Sequence, residues 1–174
     1  MNKLVVAPGL FLCVVSYVYS SHVVADEITY GTWDSLVRDE KAGIRHYKKG
    51  NYKRAFERLK LPAQMGLKEA QYALAFMFLK GQYVNQSLDI GMAWLGVANE
   101  IHVRDWKQTY DQVYAALSPQ EQSRIDRKVA TYVDMFGMET QNLNCDKNSG
   151  RRISISCQKV FDAPTPVFEL EGLP

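Results

Sequence analysis

The sequence lacks the short motifs on which common hydrolases, kinases and metalloenzymes depend. It has no Gly-x-Ser-x-Gly nucleophile motif, no histidine pair at metal-ligand spacing and no glycine-rich phosphate loop. Beyond the first 25 residues the histidines are His46 and His102, which lie far apart in the sequence. We therefore expect no catalytic residue, metal site or cofactor, and we predict that the protein is not an enzyme.

The chain also lacks an excess of charge of one sign, because its 21 basic and 19 acidic side chains nearly cancel. Binding to nucleic acid or to an anionic membrane usually requires a basic excess. The basic pairs Lys48-Lys49 and Lys53-Arg54 are interleaved with Glu57, a pattern typical of a solvated helix face. The charge balance therefore gives no argument for an anionic membrane, and we expect no nucleic-acid partner.

Long apolar runs are absent except near the start of the chain. Lys3 is followed by an apolar stretch to Tyr19, and Val23 and Ala25 then fit the small positions of a signal-peptidase site. An uncleaved anchor is the alternative, but the run is shorter than the roughly 20 apolar residues that span a bilayer. We predict a signal peptide at 1–25 and a periplasmic or secreted protein without membrane insertion after cleavage.

Cysteine is scarce as well. Cys13 lies within the predicted leader, which leaves Cys145 and Cys157 as an even pair in an oxidising compartment. Metal binding would need further ligands nearby, and redox catalysis usually uses two cysteines separated by two residues. A disulfide between Cys145 and Cys157 is therefore the predicted state.

Helical periodicity dominates the region between these ends. Apolar residues at spacings of three to five, with capping and breaking residues between them, predict six helices over 34–49, 52–65, 67–80, 88–101, 104–117 and 119–136. The candidate N-terminal caps are Asp34 or Ser35, Asn51, Ser87 and Ser118. Pro62 should either kink the second helix or end it near Leu61. The third helix is apolar on most sides, which predicts a central position.

The character of the sequence changes after Gly137. Turn-forming residues are followed by an alternating apolar and polar run at 153–157, which predicts a disulfide-closed hairpin or loop over 141–160. Beyond it, Pro164 and Pro166 favour an extended tail, and Val167-Phe168 is expected to dock on the helical body. The predicted division is thus a helical domain at 26–137 and a stapled hairpin with its tail at 138–174.

An internal repeat is visible when the chain is shifted by 36 residues, which places Leu59 on Leu95 and Phe56 on Met92. The runs Ala-Phe-Glu-Arg-Leu at 55–59, Ala-Gln-Met-Gly at 63–66, Lys-Glu-Ala-Gln-Tyr-Ala-Leu from 68 and Trp-Leu-Gly-Val-Ala at 94–98 resemble the Sel-one-like repeat family, relatives of tetratricopeptide repeats. The resemblance implies an all-α fold: a short right-handed α-solenoid of about three antiparallel helix pairs, followed by the small C-terminal hairpin.

The same resemblance implies a function, since members of this family act as adaptors that join proteins, often in bacterial envelopes. We therefore expect a non-enzymatic protein–protein interaction adaptor whose partner is an envelope or secreted protein. Aromatic side chains on the inner face would anchor that partner, because they bury a large area with few torsions. The candidates are Tyr72, Phe76, Tyr83, Trp106 and Tyr110.

Two alternatives stay open at this point. Some members of the family have been discussed as β-lactam binders, so a hydrolase or β-lactam-binding enzyme is the first. The second is recognition through the stapled hairpin, with Arg151 and Arg152 at its tip docking on an acidic partner or a polysaccharide. The competing role for the hairpin is a cap that closes the open end of the helical stack.

Overall fold

The computed structural model describes residues 32–149 and 153–160. Within these residues the chain is mostly helical, as predicted, with one small antiparallel sheet. The elements are α1 (Trp33–Lys48), α2 (Tyr52–Gln64), α3 (Lys68–Lys80), α4 (Leu88–Ala98), a 3-10 turn (Asn99–Ile101), α5 (Arg104–Ala115), α6 (Pro119–Phe136), β1 (Leu143–Ser149) and β2 (Ile153–Lys159). The predicted leader at 1–25, Arg151, Arg152 and the tail with Val167 and Phe168 lie outside the described residues.

Capping chemistry explains several of the helix ends. Before α6, the Ser118 hydroxyl accepts from the Glu121 N–H at 3.4 Å, while Glu121 Oε2 accepts from the Ser118 N–H at 2.9 Å. This reciprocal pair is a capping box. Ser87 caps α4 by accepting from the Ile90 N–H at 3.3 Å. Gly50, just after α1, has a φ of +75°, a conformation that glycine adopts without strain.

The predicted cap of α1 was wrong, and the predicted cap of α2 was confirmed in position only. The residue that precedes α1 is Thr32, and the Ser35 hydroxyl donates to the Thr32 carbonyl at 2.8 Å. Neither Asp34 nor Ser35 therefore caps that helix, because both lie inside its first turn. Asn51 does occupy the N-cap position of α2, but its side chain makes no capping hydrogen bond there.

Pro62 does not end α2 at Leu61, so that alternative was wrong. The helix continues to Gln64, and the Met65 N–H donates to the Leu61 carbonyl at 2.9 Å. The Leu67 N–H likewise donates to the Pro62 carbonyl at 2.9 Å. Proline can remain here because it removes only its own backbone donor, and its fully buried ring packs in the core.

The helix α3 lies at the centre of the packing, as its apolar sequence predicts. The helices α1, α2 and α4 all pack against α3, and α6 packs along α4. Buried alanines line these contacts and let the helices approach closely. They are Ala55, Ala63, Ala70, Ala73, Ala75, Ala93 and Ala98, each no more than 3% exposed.

The two strands pair in antiparallel register, with Cys145 opposite Cys157. The predicted disulfide joins these two residues. Leu143 is buried and Ile155 is half-buried, whereas their neighbours Asn144 and Ser154 are exposed. This alternation confirms the predicted half-buried hairpin, in which one side faces the helices.

A buried ammonium group ties the centre of the fold together. Lys68, in the first turn of α3, is fully buried. Its Nζ donates to Gln71 Oε1 at 3.0 Å, to the Val97 carbonyl at 3.2 Å and to Glu100 Oε2 at 2.5 Å. All three donors of the ammonium are therefore used. Burial lowers the pKa of Lys68, and the hydrogen bond with Glu100 opposes that effect.

The partners of Lys68 extend this network to the end of α6. Glu100 Oε2 also accepts from the Met138 N–H at 3.1 Å. The Gln71 amide donates to the Ala63 and Phe136 carbonyls, each at 2.9 Å. The polar network thus links the end of α2, the start of α3, the end of α4 and the residues at and after the end of α6.

A second buried charge lies where α1 meets α3. Glu40 is 7% exposed, and its Oε1 accepts from the Ala70 N–H at 2.9 Å, in the first turn of α3. Burial raises the pKa of Glu40 to about 7, and the hydrogen bond from Ala70 only partly opposes that shift. The carboxyl group therefore satisfies a helix N-terminus while it titrates near neutral pH.

Replacing Lys68 with methionine should destabilise the fold strongly. The Lys68→Met variant leaves Glu100, Gln71 and the Val97 carbonyl without their donor, and breaking a buried ion pair costs about 3–5 kcal/mol. Urea unfolding of the full chain measures this loss. The double variant Lys68→Met/Glu100→Gln should recover part of it, because no uncompensated carboxylate remains. A single variant as stable as the wild type would contradict this account.

The stability of the fold should depend on pH because Glu40 titrates with a raised pKa. Its pKa is about 7 in the fold and near 4.5 in the unfolded chain, so the folded state binds more protons between those values. The free energy of unfolding should therefore fall as the pH rises from about 4.5 to about 7. Glu40→Gln keeps an acceptor for Ala70 and should flatten this decline, gaining up to about 3 kcal/mol at pH 8. The matched control Glu57→Gln, on the exposed side of α2, should keep the wild-type slope in urea titrations, and equal slopes for all three proteins would contradict the assignment.

Candidate functional site

An aromatic pocket of about 390 Å³ lies between α1, α3 and α5. Its aromatic and apolar surface consists of Ile44, Tyr47, Tyr72, Ala73, Phe76 and Trp106. Charged side chains from the ends of α1 and α3 complete the lining, and they are Lys48, Glu69 and Lys80. We call these nine residues the aromatic pocket.

Stacked rings form one wall of the aromatic pocket. Tyr72 and Trp106 lie parallel, with ring centroids 4.3 Å apart and an interplanar angle of 12°. Phe76 meets Tyr72 edge-on at 5.0 Å, and Lys80 Nζ lies 5.3 Å from the centroid of the Phe76 ring. The rings are only half-buried, so they present apolar area to a ligand while they support each other.

Helical spacing explains why these rings meet. Tyr72 and Phe76 are four residues apart on α3, and Ile44 and Tyr47 are three apart on α1, so each pair shares a helix face. Trp106 is in the first turn of α5 and stacks on Tyr72 from the neighbouring helix. Close packing of α1 on α3 brings the two faces together.

The tyrosine hydroxyls of the pocket are poor acids. Burial raises the pKa of Tyr72, and a hydrogen bond with Thr109 only partly offsets it. Burial also raises the pKa of Tyr47, helped by the neighbouring Tyr52 and Tyr72. Both hydroxyls stay protonated at physiological pH, so they act as hydrogen-bond donors and not as nucleophiles.

The structure places the sequence-predicted anchors in three locations. Tyr72, Phe76 and Trp106 come together in the aromatic pocket. Tyr83 does not line it; its ring packs on Phe56 at 5.8 Å, with 52% of the residue exposed. Tyr110 also lies outside the lining. It stacks on Tyr114 with centroids 5.7 Å apart, and burial raises its pKa to about 12.

Sequence reasoning missed the contribution of α1 to this pocket. Ile44 and Tyr47 line it, but neither was among the predicted anchors. Tyr47 precedes the basic pair Lys48-Lys49, and cations are attracted to the faces of aromatic rings. This neighbourhood could have pointed to Tyr47, but the sequence pattern alone could not show which helix packs across α3.

A second concavity of about 420 Å³ lies between the start of α4 and α6. It is more polar, and each of its cations has a neighbour. Arg124 Nε donates to Asp89 Oδ2 at 2.8 Å, Arg127 donates to Ser123 Oγ at 2.8 Å, and Lys128 Nζ lies over the Tyr132 ring at 5.5 Å. We regard this surface as a solvated helix face.

The described residues contain no cluster of metal ligands. No group of three or more His, Cys, Asp or Glu side chains among them is arranged to hold a metal ion. Within 32–149 and 153–160, no helix is both long enough and apolar enough to cross a bilayer. His46 and His102 do not line the aromatic pocket. What the pocket can do chemically is bind apolar and aromatic groups.

The disulfide hairpin lies across the starts of the odd-numbered helices. Its contacts there are Lys159 Nζ with the Trp33 ring (5.5 Å), the Ile155 N–H with Glu69 Oε1 (3.3 Å) and Lys147 Nζ with the His102 carbonyl (3.3 Å). Gly66 allows this approach, since a Cβ there would lie 2.5 Å from Leu143 Cδ1. Because Glu69 also lines the aromatic pocket, the hairpin adjoins the pocket at that residue.

No protein-family model, curated protein or solved structure matches this chain. The assignment of the site therefore depends on its geometry and on the sequence patterns given above.

Removing the disulfide should distinguish a capping hairpin from a recognition hairpin. The double variant Cys145→Ser/Cys157→Ser opens a loop with a sequence separation of 12, which costs roughly 2–3 kcal/mol in the chain-entropy model. A cap should lose that amount of stability in thermal and urea unfolding, because the hairpin contacts α1 and α3. Unchanged unfolding combined with weaker partner binding would instead assign the hairpin to recognition. Reduced wild-type protein provides the matched control.

Proposed function

We propose that this protein is a non-enzymatic adaptor that binds an apolar segment of another protein in the aromatic pocket. The observation that carries the proposal is the half-exposed stack of Tyr72 on Trp106, flanked by Phe76. Aromatic side chains of this kind dominate protein interfaces, because each buries about 150–250 Å² with few torsions to fix. Lys48, Glu69 and Lys80 at the rim supply polar contacts around an apolar centre, which is the usual anatomy of an interface.

The adaptor is proposed to be a short Sel-one-like α-solenoid. The packing of α1 on α2, of α3 on α4 and of α2 on α3 supports two stacked helix pairs. The 36-residue repeat is consistent with this, because Leu59 and Leu95 are both fully buried. Ala55 is buried too, and its counterpart Gly91 has no room for a side chain, since a Cβ there would lie 2.6 Å from Leu79.

The third pair departs from a regular stack. The helix α6 makes its main contacts with α4, whereas it meets α5 near their connecting turn. There the Gln122 amide donates to the Tyr114 carbonyl at 3.0 Å, and the Tyr114 hydroxyl donates to Asp126 at 2.9 Å. We therefore propose two regular repeats closed by a modified third one.

The proposed location is the cell envelope or the extracellular space. The apolar run before Ala25 supports export, and the disulfide between Cys145 and Cys157 is compatible with an oxidising compartment. The proposed partner is accordingly an envelope or secreted protein. The absence of a one-sided charge excess argues against nucleic acid as the partner.

A site-specific crosslinking experiment tests this function. A photo-reactive amino acid in place of Lys80, at the rim of the pocket, should capture the partner in the source cells, and mass spectrometry identifies it. Binding of the purified partner should then weaken at least about thirtyfold in Tyr72→Ala and Trp106→Ala, since truncating a central aromatic costs about 2 kcal/mol or more.

Tyr83→Ala is the matched control for this measurement. It removes a more exposed tyrosine from outside the aromatic pocket and should leave the affinity unchanged. Equal affinities for the Tyr72→Ala, Trp106→Ala and Tyr83→Ala proteins would exclude the pocket as the binding site. Thermal unfolding of each variant checks that lost binding does not reflect lost folding.

A further inference from the structure

We propose that the segment at 161–174 of this same chain occupies the aromatic pocket until a partner displaces it. In this arrangement Phe168 lies against Tyr72 and Phe76, and Glu169 and Glu171 lie beside Lys48 and Lys80. The proposal rests on the proposed function, because it names a built-in competitor for the same site.

The hairpin brings the start of this segment near the first residue of α1. Lys159 Nζ lies 5.5 Å from the ring centroid of Trp33, the first residue of α1, and Val160 follows directly. The Ile155 N–H donates to Glu69, which lines the pocket. The segment therefore begins at the end of α1 that is farther from Lys48.

The length of the segment matches the distance that it must cover. From Trp33 to Ile44 the helix α1 rises about 16 Å, and to Tyr47 about 21 Å, at 1.5 Å per residue. Eight residues lead from Val160 to Phe168. Pro164 and Pro166 favour extended backbone, in which these eight residues span about 25 Å. The segment is therefore long enough to bring Phe168 level with Ile44 and Tyr47, which line the same pocket as Tyr72 and Phe76.

Charge complementarity fixes the direction of the segment. Residues 161–174 contain Asp162, Glu169 and Glu171 and no basic side chain. Lys48 and Lys80 are at the last residues of α1 and α3, beyond the aromatic rings as seen from Trp33. Glu169 and Glu171 follow Phe168, so a chain that arrives from Trp33 brings both carboxylates to the two lysines.

Hydroxyl-radical footprinting of the full chain tests whether residues 161–174 occupy the aromatic pocket. Mass spectrometry reports the oxidation rates of Tyr72 and Trp106, which depend on their exposure. Phe168→Ala should raise both rates at least about threefold over the wild type and leave Tyr83 unchanged. The matched control Phe161→Ala makes the same change one residue after Val160, too near the hairpin to reach the rings, and should leave all rates at wild-type values.

Charge reversal provides a second, independent readout. Glu169→Lys/Glu171→Lys should expose Tyr72 and Trp106 in the same way, and adding Lys48→Glu/Lys80→Glu should restore their protection. Equal oxidation rates in the wild type, Phe168→Ala and the charge-reversed chain would overturn the proposal. Protection that disappears on dilution would also overturn it, because a second copy of the chain would then be the occupant.

The two proposals fail in distinguishable ways. If the oxidation rates do not change in the segment variants but Tyr72→Ala still abolishes binding of the crosslinked partner, then residues 161–174 do not occupy the pocket, and the adaptor function stands. If Phe168→Ala exposes the pocket but no partner depends on Tyr72, the occupant stands and the adaptor function fails. If both hold, Phe168→Ala should increase the affinity for the partner several-fold, because the competitor has been weakened.

Discussion

The fold depends on one buried ammonium group. An unpaired charge in a core costs several kcal/mol, so Lys68 can remain inside only if its three protons find acceptors. The acceptors come from Gln71 on α3, Val97 on α4 and Glu100 just after α4, and their own bonds reach the end of α6. This requirement fixes the relative position of those helices more specifically than the surrounding alanine contacts can.

Close packing of these helices also keeps the aromatic pocket rigid. The buried alanines let α3 pack closely on its neighbours, so the rings of Tyr72 and Phe76 project from a helix that cannot easily move. Glu40 adds a second tie between α1 and the first turn of α3. A binding surface built on such a base loses little conformational entropy when it is filled.

Much of the fold could be predicted from the sequence, since helix periodicity and caps are local signals. All six helices and the Cys145–Cys157 hairpin were found that way, whereas the continuation of α2 through Pro62 depends on tertiary packing. Three of the five predicted aromatic anchors meet in the pocket. Tyr83 and Tyr110 do not, because helical spacing gives the face of a residue but not the helix that packs across it.

The disulfide hairpin also determines the effective concentration, at the aromatic pocket, of any group attached to its end. Paired strands and contacts with Trp33 and Glu69 hold Val160 at a fixed place near the start of α1. Any group attached there by a tether of suitable length faces the rings at an effective concentration in the millimolar range, ~1 mM. A protein in solution at ~1 μM must therefore bind about a thousandfold more tightly than the tethered group to share the pocket equally. Under the proposed function, the position at which the chain leaves β2 would thus make the pocket selective for strong partners.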